Sequence, residues 1–240
     1  MLGTELLDDP RADPALVRAE LRDIQRLNAM FGGTRAVLRA LEPVFEKGGK
    51  GEWGKGNGKA RWTLLDVGTG SGDIPRAVQR VARRCGVELE LFGIERIPAA
   101  AGLARAAGVT TILADGDALP LAPRSVDVVL ASQVLHHLAR ETCVRWIAAL
   151  DRIARHAVVL ADLRRSRFAM AGMWAVSFPL ALRAQTRRDA VVSLRRGYTR
   201  AEFNSMLQEA GVLARAYYAP VARIVAAWEP REPSASRTEC

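Results

Sequence analysis

The sequence predicts an α/β fold built on a doubly wound, mainly parallel sheet of seven strands. Three observations predict it. From Trp62 onward, short apolar runs alternate with segments of helical periodicity. The first run, "WTLLDV", passes straight into a turn with glycines at positions 68, 70 and 72. The last two runs, "VLARAYYAP" and "ARIVAAW", meet at Pro220 with no helix between them, as in an antiparallel hairpin at the sheet's far side. Strands joined by helices of this length require right-handed crossovers and a sheet covered on both faces.

Residues 1–46 are expected to form a helical cap. "PALVRAELRDIQRLNAMF" brings Leu16, Ala19, Leu21, Ile24, Leu27 and Phe31 near one helical face. Gly32-Gly33 breaks it, and a second helix resumes with Thr34 as N-cap. Residues 47–61 read as a flexible basic linker, since "EKGGKGEWGKGNGKAR" holds six glycines and four lysines. The main domain spans 62–228. Its strands are "WTLLDV", "ELELFGIE", "VTTILAD", "SVDVVLAS" and "HAVVLAD", and its helices "DIPRAVQRVARRCG", "PAAAGLARAAG" and "ETCVRWIAALDRIAR". Alternation lapses over 163–198, which is expected to be a helical lid inserted after the fifth strand. "TRAEFNSMLQEAG" then forms a helix opened by Thr199. The tail, 229–240, is expected to be disordered.

Net charge is +9 with a pI near 10.3. The four lysines cluster in the linker and the arginines are scattered beside acids, so no specific nucleic-acid partner is expected. Cys85, Cys143 and Cys240 lie far apart without CxxC spacing, which points to a reducing, cytoplasmic setting and no zinc site. The longest uncharged apolar run, "FAMAGMWAVSFPLAL", has 15 residues and contains Pro179. A bilayer span needs roughly 20, so this run is expected to be a buried or site-covering helix.

Ligands of such sheets bind at the carboxyl ends of the strands where strand order reverses, which is where "LLDVGTGSGDIP" lies. The glycines let backbone N–H groups approach a ligand. Asp73 opens the following helix, and a carboxylate there disfavours a pyrophosphate. Asp66 and Asp73 together suit a ligand with positive charge. Glu95, ending the second strand, stands where an acid can accept both hydroxyls of a ribose.

Four segments, "LLDVGTGSGD", "LFGIER", "ADGDALPLAPRSVDVV" and "ASQVLHHL", together resemble the class I S-adenosylmethionine-dependent methyltransferases and their Rossmann-like fold. The resemblance implies S-adenosylmethionine as cofactor and S-adenosylhomocysteine as product. It implies that Gly68, Thr69, Gly70 and Gly72 wrap the methionine part, with Asp66 near its ammonium. Glu95 would hold the ribose, Asp115 rather than Asp117 the adenine amino group, and Gly116 the ring. Arg96 and Ser132 complete the expected cofactor set; Arg96 departs from the smaller residue common in the family. "LNAMFGG", "GTGSGDIP", "VLHHL", "DLRRSR" and "RRGYTRAEF" more narrowly resemble small bacterial methyltransferases of quinone- and polyketide-type phenols.

The expected reaction is O-methylation of a phenolic, polyketide or quinone-type small molecule. The alternatives are C- or N-methylation, or non-methyl chemistry such as cyclisation. A phenol with pKa near 10 gains from a base, and His136 and His137 are the candidates, with at most one expected to face the site. Phe31, Gln133, Phe168, Met173 and Trp174 are the expected acceptor contacts, with Met30 closing the pocket beside Phe31. No metal is expected: Asp162 is a lone candidate ligand, accounted for by pairing with Arg164 or Arg165. His156 is expected to be structural. "RRDAVVSLRRGY" is read as a solvated charge run, with a salt-bridged lid or an anion contact as alternatives. The expected partner is an apolar or aromatic acceptor, with a homodimer compatible and no transmembrane segment.

Overall fold

A computed structural model describes residues 3–51, 60–116 and 119–231. Five strands are parallel: β1 (Ala60–Val67), β2 (Val87–Glu95), β3 (Thr110–Leu113), β4 (Val126–Ser132) and β5 (Ala154–Leu163). Two antiparallel strands, β6 (Tyr217–Ala219) and β7 (Arg223–Trp228), complete a seven-stranded sheet of order β3-β2-β1-β4-β5-β7-β6. The order reverses between β1 and β4, so a crevice opens at their carboxyl ends.

The helices are α1 (Pro14–Met30), α2 (Gly33–Gly49), α3 (Asp73–Arg84), α4 (Pro98–Ala106), α5 (Arg140–Ile153), α6 (Arg167–Ser177), α7 (Ala184–Arg196) and α8 (Arg200–Glu209). Short 3-10 turns lie at Leu6–Asp8 and Leu135–His137. Phe45 of α2 and Val78 of α3 are buried with Leu64 and Leu130 on one face of the sheet. On the other face, Ile147 of α5 and Phe203 of α8 pack with Val129 and Leu160. Apolar residues on both sides of β4 meet a core on both faces, which is why it reads as a continuous run. α1 lies apart from these layers: Val17 and Leu21 pack on Ile97 and Ala100 at the start of α4. It therefore roofs the crevice.

Several boundaries depart from the sequence reading. α2 starts at Gly33 with Gly32 as its N-cap in left-handed backbone, so Thr34 is not the cap. α2 also takes in residues 47–49, and β1 takes in residues 60 and 61; of the expected linker, 52–59 lie outside the described residues, as does 232–240 of the tail. β3 is shorter than expected because it is an edge strand paired with only four residues of β2. β5 begins two residues early. Asp127 on β4 pairs with the Arg155 guanidinium and lies 3.5 Å from His156 Nε2, drawing this stretch into the sheet. His156 also stacks on Trp62 at 4.8 Å, as befits a structural residue. Leu16 and Met30 face outward from α1, contrary to expectation.

The helix behind the cavity wall is opened as expected: the Thr199 hydroxyl accepts from Glu202 N, and the Glu202 carboxylate accepts from Thr199 N. Phe203 on that helix is fully buried. Phe203→Ala removes a ring from a close-packed core and is expected to lower stability by about 3–5 kcal/mol, read as a shift in urea midpoint at unchanged m-value.

Candidate active site

Three glycines at the end of β1 take left-handed backbone, with φ of 74°, 56° and 76° at Gly68, Gly70 and Gly72. A side chain is strained there. A Cβ on Gly68 would stand 2.4 Å from Val134, and one on Gly72 would stand 3.0 Å from Val109. The turn is tied to β2, since Gly68 N and Thr69 N both donate to the Ile94 carbonyl. The Glu95 carboxylate accepts from Gly70 N and from Ile97 N, each at 2.9 Å. One buried acid thus fixes both the glycine turn and the loop into α4.

These elements wall a cavity of about 580 Å³. Its wall brings together most of the sequence-predicted residues. Gly68, Thr69, Gly70, Glu95, Arg96, Asp115, Gly116 and Ser132 are all on it, as are Phe31, Gln133, Phe168 and Met173. Gly116 passes under the Trp146 ring so closely that a Cβ would stand 2.3 Å from it. Asp117 lies outside the described residues. Arg96 reaches the wall but spends its guanidinium on the Leu7 and Asp8 carbonyls, each at 3.0 Å.

Three expected contacts are elsewhere. Gly72 packs against Val109 and Ala104 rather than the cavity. Trp174 is half exposed and stacks edge-on against Phe178, because it points from α6 to the outside. Asp66 lies buried behind the turn, while Asp73 is on the wall. Burial, with the nearby Asp73 and Glu95 charges adding, pushes the Asp66 carboxyl up to about 8. Burial also pushes Asp73 up.

Both His136 and His137 line the cavity, their rings 4.2 Å apart. The expectation that only one faces the site fails: both rings reach the cavity, one held by Asp162 and the other by Asp8. His136 Nδ1 lies 2.6 Å from Asp162 Oδ1. Asp162 also accepts from the backbone N–H groups of His136 and Leu163. Despite full burial, the His136 contact and these donors hold its carboxyl below the usual range. Asp162 therefore pairs with His136 and not with an arginine: Arg164 lies over the Tyr218 ring, and Arg165 pairs with Glu202. An ionised Asp162 fixes the Nδ1–H tautomer of His136 and leaves Nε2 as acceptor.

His137 belongs to a different network. Its Nδ1 lies 2.7 Å from Asp8, whose carboxyl is held far below the usual range by His137 and Arg196 against the effect of burial. Arg196 bonds Asp8 at 2.9 Å and Glu5 at 3.2 Å, and Leu6 N donates to Asp189. "RRDAVVSLRRGY" thus supplies a latch through Arg196, joining α7 to the N-terminal segment. Glu5, His136 and His137 bring one ligand-type atom each within 4.8 Å of one another, a geometry open to a cation that the sequence reading did not foresee.

A family model described as a methyltransferase domain matches residues 65–160. No curated protein matches the chain. Among solved structures, a plantazolicin methyltransferase (BpumL) with a monoazolic desmethylPZN analog and SAH superposes with TM-score 0.62 at 13% identity, covering 91% of this chain and 95% of that one. A SAM-dependent methyltransferase from Aquifex aeolicus gives 0.58 at 16%, covering 91% and 99%. Magnesium protoporphyrin IX methyltransferase from Synechocystis PCC 6803 with bound SAM gives 0.51 at 13%, covering 83% and 80%. Residues 65–160 thus match a methyltransferase domain, and the chain shares the fold of these structures.

Asn28 and Arg223, with Glu5 and Asp8, escaped the sequence reading of this candidate site, and Asp162 was weighed there only as a metal ligand or an arginine partner. The only signal for Asp162 was its place at the end of the strand beside β4.

Glu95→Ala frees both the Gly70 and Ile97 amides. It is expected to weaken S-adenosylhomocysteine binding by about ten-fold or more, measured by titration calorimetry; unchanged affinity would remove Glu95 from the site. The Asp66 carboxyl is raised from 3.8 to about 8, so the folded chain binds a proton that the unfolded chain has lost. Stability is therefore expected to fall as pH rises across that window, with Glu20, raised to about 7, acting in the same sense. A Tm series against pH is expected to be shallower for Asp66→Asn than for the parent chain.

Proposed function

We propose that this methyltransferase moves the methyl group of S-adenosylmethionine to the oxygen of a phenolic small molecule of quinone or polyketide type. The observation that carries the reading is the His136–Asp162 pair on the wall of an apolar cavity beside the glycine turn. The cofactor, when bound, supplies an electrophilic methyl group on a sulfonium. The wall suits it: the turn tolerates no side chain at Gly68, Glu95 has further lone pairs for ribose hydroxyls, and Asp115, Gly116 and apolar Ile97 line the same cavity for an adenine.

The chain's own part is alignment and proton transfer. His136 Nε2 takes the phenol proton, and Asp162 steadies the imidazolium that forms. Such a positioned base is worth about 10²–10⁴ in rate. Ile24, Leu27, Phe31, Met173 and Val176 offer a dry surface to the acceptor ring or its chain. His137 acts in positioning, holding Asp8 and with it the N-terminal strap. The reaction runs without a metal in this reading, because the Arg196 cation already bonds the Glu5 and Asp8 carboxylates.

Labelled methyl transfer over a panel of phenols, quinols, pyrones and amines tests the substrate class. His136→Ala is expected to lower turnover of the best phenol about 100-fold while keeping S-adenosylhomocysteine affinity; equal turnover would place the base elsewhere. Prolonged dialysis against EDTA is expected to leave turnover unchanged. Loss of activity restored by zinc would instead assign Glu5, His136 and His137 to a metal.

A further inference from the structure

Arg223 is a buried cation without an anion. It stands on the cavity wall with 6% of its surface exposed. Nη1 donates to Gln133 Oε1 at 2.8 Å and Nη2 to Asn28 Oδ1 at 3.3 Å, both neutral oxygens. Nε has no hydrogen-bond partner, and among the described residues no carboxylate lies within ion-pair distance. Burial pushes its guanidinium down to about 10, with only the more distant Asp162 charge opposing. A cation left so is costly unless a ligand completes it.

The surroundings are shaped for this group. Gly33 opens α2 where a Cβ would stand 2.5 Å from Asn28 and 3.0 Å from Arg223. Gln133 takes left-handed backbone with φ of 57°, turning its amide to bridge Asn28 and Arg223. Asn28 also faces Asp73 at the glycine turn, lowering its carboxyl against the effect of burial. A cation and a carboxylate thus stand on either side of one asparagine.

We infer that Arg223, with Gln133 and Asn28, binds a carboxylate, and that Asp73 receives the ammonium of the same amino-acid head group. The inference rests on the proposed cofactor, whose methionine part carries both charges; a carboxylated acceptor would offer the same chemistry to Arg223. S-adenosylhomocysteine is compared with 5′-methylthioadenosine, which lacks the amino-acid head. Arg223→Gln is expected to weaken S-adenosylhomocysteine about ten-fold or more and to leave methylthioadenosine unchanged, which also shows that the variant folds. Arg223→Lys is expected to recover part of the loss. Unchanged S-adenosylhomocysteine with a raised KM only for a carboxylated phenol would keep the carboxylate subsite and move it to the acceptor. Unchanged binding of all of these would overturn it. Failure of the parent chain to bind S-adenosylhomocysteine at all would instead defeat the cofactor reading.

A second observation stands independently on α6. One side of this helix, with Ala169, Met173 and Val176, lines the cavity. The other side presents Ala171, Trp174, Ala175 and Phe178 at i, i+3, i+4 and i+7. All four are exposed, Trp174 by 57% and Phe178 by 52%, and Phe168 at the cavity's edge is 91% exposed. The insertion 163–198 holds eight arginines, no lysine and one acid, the buried Asp189. Arg196 is spent on Asp8 and Glu5 and Arg165 on Glu202, while Arg187 lies over the Phe178 ring and Arg167, Arg183 and Arg188 are exposed. No helix among the described residues is long and apolar enough to cross a membrane. An apolar stripe with an arginine rim matches an anionic lipid surface, where aromatic rings enter the headgroup region and guanidinium groups stay at the phosphates.

We propose that α6 docks this methyltransferase on anionic membranes, so that a lipophilic phenol can pass along Phe168 into the cavity. The full chain is tested by flotation with phosphatidylcholine vesicles with and without phosphatidylglycerol. Binding is expected only with the anionic lipid, falling with salt. The Trp174→Ser/Phe178→Ser variant is expected to lose about ten-fold or more of it with S-adenosylhomocysteine affinity intact. No binding, or binding indifferent to the variant, would overturn the docking. So would a dimer in sedimentation that the same variant dissolves, because a second copy would then cover the stripe. Vesicle binding without turnover of any phenol would leave the docking standing and defeat the proposed reaction.

Discussion

The geometry of the site hangs on one buried carboxylate. Glu95 ends β2, and its two oxygens accept from Gly70 N and Ile97 N. Those amides belong to different loops, one leaving β1 and one entering α4. The bond to Gly70 holds a turn whose glycines all sit in left-handed backbone. The bond to Ile97 sets the residue that α1 packs against through Val17 and Leu21. The glycine turn, the loop into α4 and the roof of the cavity are thus positioned from one side chain. A carboxylate in this place accepts bonds but donates none, so it also leaves lone pairs toward a ligand.

The side of the cavity that holds His136 is organised by a second buried acid in the adjacent strands. β4 and β5 pair in parallel, with Ser132 beside Ala161, so the turn after β4 passes the end of β5. There Asp162 meets both the ring and the backbone of His136. The N-terminal strap reaches the neighbouring histidine through Asp8 and is locked to α7 by Arg196. Lid, strap and candidate base therefore form one connected set, although they lie far apart in sequence. α6 divides this set from the outside, with an apolar surface on each side of the helix.

What was legible in the sequence was local. Gly68, Gly70 and Gly72 announce a turn because left-handed backbone demands glycine, and Glu95 announces itself by ending a strand of clear periodicity. The mainly parallel sheet and the C-terminal hairpin followed from the alternation and its lapse at Pro220; the strand order did not. The illegible parts depend on pairing at long range. Nothing near Asp162 says that His136 will stand 2.6 Å away, so an arginine two residues on looked the simpler partner. Arg223 sits in an ordinary apolar run and becomes notable only when β7 enters the sheet beside β5. Trp174 and Met173 are neighbours in one greasy segment, and only the packing of α6 sends one outward and the other into the cavity. The acids Asp66 and Asp73 were both rightly tied to the turn, but burial puts only Asp73 on the wall.

The central claim is transfer of a methyl group to a phenol oxygen with His136 as base. The most direct measurement is NMR of the product formed from a phenolic acceptor and S-adenosylmethionine carrying a ¹³C methyl group. The account predicts the label as an aryl methyl ether, formed by the parent chain and strongly reduced in Asp162→Asn as well as His136→Ala. Label on a ring carbon or on nitrogen, or ether formation indifferent to both substitutions, would contradict it.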